Sequence, residues 1–312
     1  MKKLFFVLLA VINAELLFPQ CACCGSSSNI SAGEVTPTAY ALGKRQVFGE
    51  IYGDMRFFDP PKDQYSSDHH TLANTALKID NMLITTVGLR YGINSRTTLL
   101  VQQPYLFLNA SPTSSKAFGD LLSLINYKAF SRSNFIVGVQ LGMEWPTGEY
   151  IQAGNGNAIS TGSGSYDPVA GVNLMKSFKR SALRFNGFFK YTTQGFNGTN
   201  YGDFFGHQIG YSYFISSNNA VCMDSNSVAK ISKPSLALNV QLSGEWSQSQ
   251  WKDHTMVENT GSYVALAGCG LTIGFKGFTV PVLVSVPLYG QYKGLQNQNT
   301  FRIRIGLTKT FN

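Results

Sequence analysis

Arg302 and Arg304 stand two residues apart near the C-terminus, and Glu50 and Asp54 stand four apart near the other end of the chain. Arg56 follows Asp54 at the same even spacing. Gln140 with Glu144, and Gln241 with Glu245, are again four apart, and Arg184 and Lys190 are six apart. On an extended strand an even spacing keeps side chains on one face. Each set therefore offers charged or amide groups in a row, the chemistry of ion pairing or of a charged constriction that selects ions. Catalysis is poorly served. A nucleophile needs a His within hydrogen-bond reach, and His207 has Phe205 and Ile209 as same-face neighbours, an apolar setting with Thr193 as the nearest hydroxyl. No catalytic residues and no enzyme are expected. Asp68 with His69-His70, or Cys21 with Cys23 and Cys24, lacks the four well-spaced ligands of a usual metal site. No Gly-rich phosphate loop or other cofactor motif is found, so no cofactor is expected.

The elements that must carry these rows are strands. In 300–311 the residues Phe301, Ile303, Ile305 and Leu307 alternate with Arg302, Arg304, Gly306 and Thr308, and the stretch ends on Phe311. Phe135, Val137, Val139, Leu141, Met143 and Trp145 form one face of a second segment, and Leu236, Leu238, Val240, Leu242 and Trp246 one face of a third. About twelve such segments follow one another: 47–58, 82–93, 97–108, 119–130, 134–146, 166–178, 181–193, 203–215, 235–247, 261–275, 278–289 and 300–311. They run to about 11–14 residues, against a usual mode of about 5–6 and the roughly 9–11 of a tilted membrane-spanning strand. Short turns at 94–96, 131–133, 179–180 and 276–277 alternate with longer loops, as in barrels with short periplasmic turns and long outer loops. The exception is 216–234, which carries Cys222. Pro104, Pro281 and Pro287 fall inside strands and should mark bulges or strand ends, because proline removes a ladder donor. The Gly- and Ser-rich stretch 153–165 cannot build a core of its own.

Composition agrees. Charged residues are 13% of the 312, well below the roughly 25% of a soluble domain. Aromatics also reach 13%, yet mean hydropathy is −0.03. Apolar outward faces and polar inward faces average to that value in a barrel. The formal charge of +8 comes from basic residues scattered along the strands rather than clustered on one face, which speaks against nucleic acid. They are either turn residues in solvent, or an anion-attracting lumen and lipid-phosphate contacts. Aromatics near segment ends, among them Phe57-Phe58, Tyr105, Trp145, Tyr150, Tyr211, Tyr213, Trp246, Trp251, Tyr289 and Phe311, suggest interfacial girdles.

Residues 1–20 carry Lys2-Lys3 and an apolar core from Leu4 to Ile12, the pattern of a secretory signal peptide. Cleavage is open between Ala14 and the stretch before Cys21. Residues 21–46 form a Cys- and Ser-rich lead, in which Cys21, Cys23 and Cys24 are candidates for disulfide or lipid attachment. Residues 47–312 make the barrel.

From Phe118 onward the chain resembles the outer-membrane transporter family of the MetA pathway of phenol degradation. The matching stretches are Phe118-Gly119-Asp120-Leu121, Glu144-Trp145-Pro146-Thr147-Gly148, Gly162-Ser163-Gly164-Ser165-Tyr166-Asp167-Pro168, Asn259-Thr260-Gly261-Ser262-Tyr263 and Val286-Pro287-Leu288-Tyr289-Gly290, followed by the closing strand. Members also open their mature chain with a pattern like Cys23-Cys24-Gly25-Ser26-Ser27. The resemblance implies a barrel of this size in the outer membrane and, more weakly, uptake of hydrophobic or aromatic compounds.

The expectation is an all-β chain: a single antiparallel up-and-down transmembrane β-barrel of about twelve strands in the outer membrane of a Gram-negative bacterium. Its partners would be membrane lipids, a small-molecule solute, and the barrel-assembly machinery through the C-terminal strand. Glu50, Asp54, Arg56, Gln140, Glu144, Arg184, Lys190, Gln241, Glu245, Arg302 and Arg304 should line the lumen. Arg302 and Arg304 should meet Glu50 and Asp54 across the closing seam, either as register-fixing ion pairs or as part of a constriction. Passage of small solutes is the expected function. A non-conducting barrel whose outer loops bind a partner, and a soluble β-sandwich, are the alternatives.

Overall fold

A computed structural model of the chain describes residues 42–59, 78–111, 114–132, 134–152, 158–215, 235–275 and 278–311. The signal and most of the lead, His69-His70, Cys222 and the long 216–234 connection lie outside these residues. Twelve antiparallel strands form one sheet: β1 (Val47–Asp59), β2 (Lys78–Gly92), β3 (Thr97–Ser111), β4 (Ser115–Phe118 and Leu121–Arg132), β5 (Phe135–Trp145), β6 (Asp167–Ser177), β7 (Ser181–Lys190), β8 (Phe204–Phe214), β9 (Ser235–Ser247), β10 (Ser262–Phe275), β11 (Phe278–Tyr292) and β12 (Gln298–Phe311). Each pairs with its neighbours in sequence, and β1 pairs with β12 from Val47↔Phe311 to Asp59↔Gln298. The sheet is a closed barrel with no free edge.

Its polarity is inverted. Leu141 is 66% and Leu288 65% exposed, while Glu144 and Gln140 of the same sheet are each only 2% exposed. A sandwich would bury the apolar face. Here the large apolar residues point out all round the ring, and the polar positions are buried on the inner face, together with two apolar clusters. This is the arrangement of a barrel whose outside meets lipid.

Outward aromatics gather at two levels. At the end with the short turns stand Tyr91, Tyr127, Phe130, Tyr211, Tyr213, Phe275, Phe278 and Phe311. At the other end stand Phe118, Trp145, Tyr166, Phe205, Trp246 and Tyr289. These are the two girdles of a membrane-spanning barrel. Lys309 lies over the rings of Phe278 and Phe311, 4.6 and 5.1 Å from their centroids, as a cation at such an interface does. Tyr150 and Trp251 depart from the expectation. Tyr150 is in a loop hairpin (Tyr150–Gln152 with Ala158–Ser160) against Phe196, and Trp251 is in a small loop sheet. Burial pushes the Tyr150 phenol up, against the opposing hydrogen bond with Asn197.

All three prolines sit at ladder defects. Pro104 faces the break in β4, where Gly119 N donates to its carbonyl. Pro281 lies in the gap of the β11–β12 ladder between Thr279↔Thr308 and Val282↔Ile305. Pro287 adjoins the register shift between β10 and β11. Proline has no N–H to give to the ladder, which accords with its place at such defects.

The loops at the long-loop end turn inward. Thr161, Ser163 and Ser165 are buried at that mouth, as are Ser249, Gln250, Thr260, Gln296 and Asn297. Asp120, at the β4 break, accepts hydrogen bonds from Gly148 N (2.8 Å), Ser163 N (2.6 Å) and Ser163 Oγ (2.8 Å). Asn297 accepts one from Ile79 N at 3.1 Å. The Gly- and Ser-rich stretch 153–165 builds no core of its own, yet Thr161, Ser163 and Ser165 are buried against the barrel. Small polar residues can be buried there because Asp120 supplies their acceptor. At the other end Leu42 N donates to the lumen-facing Thr98 Oγ1 at 2.8 Å, so the lead enters β1 along the inner wall.

Candidate functional site: the charged lumen

Strand alternation aims every second residue inward, and of the residues anticipated there Glu50, Asp54, Arg56, Gln140, Glu144, Lys190, Gln241, Arg302 and Arg304 are buried, with Arg184 and Glu245 partly so. They do not form one ring. The charged ones fall into a group at the seam, a group on β5–β7 and the Glu50–Arg90 pair.

The first group spans the seam. Asp54 lies opposite Arg304, and Arg56 opposite Arg302. Asp54 Oδ2 receives Arg56 Nη2 at 2.8 Å and Arg304 Nη2 at 3.2 Å. Two guanidinium groups directly opposite repel, and Arg302 turns away from Arg56. It reaches over β11 and β10 to β9, where its Nη1 and Nη2 donate to Glu245 Oε1 and Oε2 at 2.6 and 2.8 Å. This bidentate pair is a chord of the barrel. Glu50 is not part of the group, contrary to expectation. Four residues of strand are about 13 Å, so Glu50 lies opposite Thr308 rather than an arginine. Its carboxylate instead meets Arg90 of β2 at 3.0 Å and Gln102 of β3 at 2.7 Å.

The second group lies on β5–β7. Lys190 Nζ donates to Glu144 Oε2 at 2.6 Å. Asp167 is opposite Glu144 in the ladder and fully buried. Gln241 joins a separate polar row by accepting from Gln208 at 2.9 Å, and Arg184 donates to Ser212 at 2.7 Å.

Leu100, Leu122, Leu124, Val169, Phe188 and Phe204 form a buried apolar cluster on β3, β4, β6, β7 and β8, next to the Glu144–Lys190 pair, with Leu122 opposite Glu144 and Val169 opposite Lys190. A further cluster, Ile79, Met82, Ile84, Leu106, Leu108 and Ala110, lines the long-loop end of β2 and β3. Two cavities flank the Arg302–Glu245 chord. One, of about 20 Å³, is lined by Arg302, Arg304, Ser285, Leu266 and Leu283 among others. The second, of about 10 Å³, touches Phe188 and Glu245. Each has room for about one water.

Sequence reasoning missed Arg90, Asp120 and Asp167. Arg90 had a signal, since it alternates with Leu89 and Tyr91. It also missed both apolar clusters. His207 packs outward between Phe205 and Tyr263, ring centroids 5.4 and 6.3 Å away. Thr193 Oγ1 donates to Tyr166 O at 3.1 Å. Cys269 is exposed on β10, while Cys21, Cys23 and Cys24 lie outside the described residues.

No family model matches the chain, and no curated protein matches it by sequence. Its structure is similar to that of an outer membrane channel from Pseudomonas putida F1, with a TM-score of 0.65 and 16% identity over 88% of this chain and 98% of that one. Weaker likenesses are to the β domain of the Bordetella autotransporter BrkA (TM-score 0.46, 8% identity, 86% and 100% covered) and to the CymD monoaromatic hydrocarbon channel (0.45, 8%, 91% and 93%). Neither of these two bears on the argument. The fold, twelve strands closed about a polar lumen under an apolar exterior, is that of an outer-membrane β-barrel.

Proposed function

We propose that this chain is an outer-membrane channel of a Gram-negative bacterium that passes small solutes through its lumen. The observation that carries the proposal is the inverted polarity: a closed barrel that, among its described residues, buries five acidic and five basic side chains inside an apolar exterior is built to hold a polar path. In this reading residues 1–20 direct export, 21–46 form the lead, and β12, ending on Phe311, is what the assembly machinery engages. Membership in the phenol-degradation transporter family, and passage of hydrophobic or aromatic compounds, are the finer part of the proposal. The two apolar clusters of the lumen support it.

A second reading has an observation of its own. The buried loop residues at one mouth favour a non-conducting barrel whose loops bind a partner. Planar-bilayer recording of the refolded full chain separates the two. Steady conductance steps, with ion selectivity read from the reversal potential under a salt gradient, support the channel. A folded protein that never conducts overturns a general diffusion channel and leaves the binding barrel.

A further inference from the structure

Resting on the outer-membrane reading, though not on conduction, we propose that the rim at the short-turn end of the barrel binds anionic phospholipid headgroups. The first observation is a single sign of charge. Arg96, Arg132 and Lys179 stand exposed in or beside the short turns, and Lys176 and Lys309 stand on the outward faces of β6 and β12 close to where those strands end. Among the described residues none of these side chains forms an ion pair. The described acidic residue nearest that end is Glu50, and it is buried in the lumen against Arg90. The opposite rim carries both signs. Lys78 is 3.7 Å from Asp80 there, and Lys116 and Lys252 share the rim with Glu149, Asp253 and Glu258. The positive field therefore belongs to one end of the barrel.

The two strand lysines decide what the partner is. β6 and β12 finish alike, with an outward lysine followed two residues later by an outward phenylalanine: Lys176 with Phe178, and Lys309 with Phe311. Each ammonium group lies over that ring, 5.9 and 5.1 Å from the centroid, and Lys309 is also 4.6 Å from the Phe278 ring. Val172 on the one strand, and Ile305 and Leu307 on the other, continue the same faces toward the lipid tails. The lysine stems thus lie along apolar wall, and their charges reach the headgroup level at the girdle. A soluble acidic protein has access to the turns but not to this sideways-facing position, which lipid occupies. The short-turn end is the periplasmic one in this reading, and the leaflet it meets is phospholipid. A zwitterionic headgroup brings an ammonium group of its own to a rim that is already cationic. Phosphatidylglycerol or cardiolipin brings phosphate charge alone, and the rim favours it.

Phosphatidylglycerol is the probe. The refolded full chain is reconstituted in phosphatidylcholine vesicles with a trace of spin-labelled phosphatidylglycerol or spin-labelled phosphatidylcholine. Electron spin resonance then reads the motionally restricted fraction of each label. One basic residue favours an anionic lipid beside it by about fivefold, so the preference averaged over the whole ring of contacting lipids should be about twofold. High salt should bring it toward unity. Lys176→Gln with Lys309→Gln should lower the preference, and Lys176→Arg with Lys309→Arg should keep it. Lys252→Gln with Lys293→Gln, which removes the same charge from the other end, should leave it unchanged. Equal association of the two lipids, a preference that survives the first pair of substitutions, or an equal loss in the Lys252 and Lys293 pair overturns the inference. So does abolition by inorganic phosphate at constant ionic strength, which would make the rim a free-anion site. Folding is checked by the heat-dependent gel shift. Should the Lys176 and Lys309 pair fail to fold, Arg96→Gln with Lys179→Gln must lower the preference, and no change overturns the inference. A chain that restricts neither label has not entered the membrane, and the outer-membrane reading falls with this one. Bilayer recording separates the rim from the channel: the lipid preference without conductance keeps the rim on a non-conducting barrel, and conductance without the preference leaves the channel and sinks the lipid surface.

Discussion

Gly88 faces Glu50 across the β1–β2 ladder, and a Cβ at that position would lie 2.6 Å from Glu50 Cγ. The missing side chain lets the carboxylate lie over β2 and reach Gln102 on β3. Gly88→Val should push Glu50 off both Gln102 and Arg90, at a cost of about 1–3 kcal/mol for overpacking. The midpoint of urea unfolding, followed by the gel shift, measures it, and an unmoved midpoint would show that Glu50 has another accommodation. Asp120 works differently, as an acceptor shared by two parts of one loop. Hydrogen bonds to a charged group contribute roughly 1.5–3 kcal/mol each. Asp120→Ala should therefore speed amide exchange at Gly148 and Ser163 by about 100-fold, some 3 kcal/mol of local opening, while the Glu144–Leu124 region of the sheet keeps its protection. Uniform acceleration across the barrel would mean that Asp120 supports the whole fold rather than the inturned loop it holds.

At the scale of the strand, Gly306 carries the consequence of a proline. Pro281 interrupts the β11–β12 ladder, and its ring and the Tyr52 ring both close over Gly306 from the neighbouring strands. A methyl group there meets both rings at once. Gly306→Ala should destabilise the barrel by about 1–3 kcal/mol, and chemical denaturation would read it, while Gly49→Ala on the same seam, with a single side-chain neighbour at 3.3 Å, should cost much less. The strands themselves were legible because their alternation is strict. The span 235–247 is the same in sequence and structure. The start of β2 was not. It begins at Lys78 rather than 82, because Met82, Leu83 and Ile84 are apolar on both faces and the period-2 signal fades. The inward faces were legible for the same reason as the strands. The charge partners were not: a ladder can be counted from sequence, and it gives Asp54–Arg304, but Arg302–Glu245 joins strands three apart. That pairing depends on curvature and on Arg56 repelling Arg302 from its ladder position, neither of which a one-dimensional pattern contains. The loops turned inward for a similarly non-local reason, an acceptor at Asp120 some 40 residues before the serine it holds.

For the whole molecule the decisive step is closure, since every other strand pairs with a neighbour in sequence and only β1–β12 joins the two ends. The register of that seam sets which inward charges meet, so a slip of two residues would keep every face correct and still take Asp54 off Arg304. Ile51 and Leu307 are directly opposite on the lipid-facing side of the seam. In a background with the five native cysteines replaced by serine, Ile51→Cys with Leu307→Cys should oxidise to an intramolecular disulfide. It should raise stability by about 5 kcal/mol, because it closes a loop of nearly the whole barrel. The non-reduced, boiled chain should then run faster on a gel than its reduced form. Ile305 is also exposed on that face but diagonal to Ile51, about 7–8 Å away and beyond disulfide reach. Ile51→Cys with Ile305→Cys should stay reduced under the same oxidant. Equal cross-linking of the two pairs would mean that the seam slides, and that the ion pairs of the lumen follow the register rather than hold it.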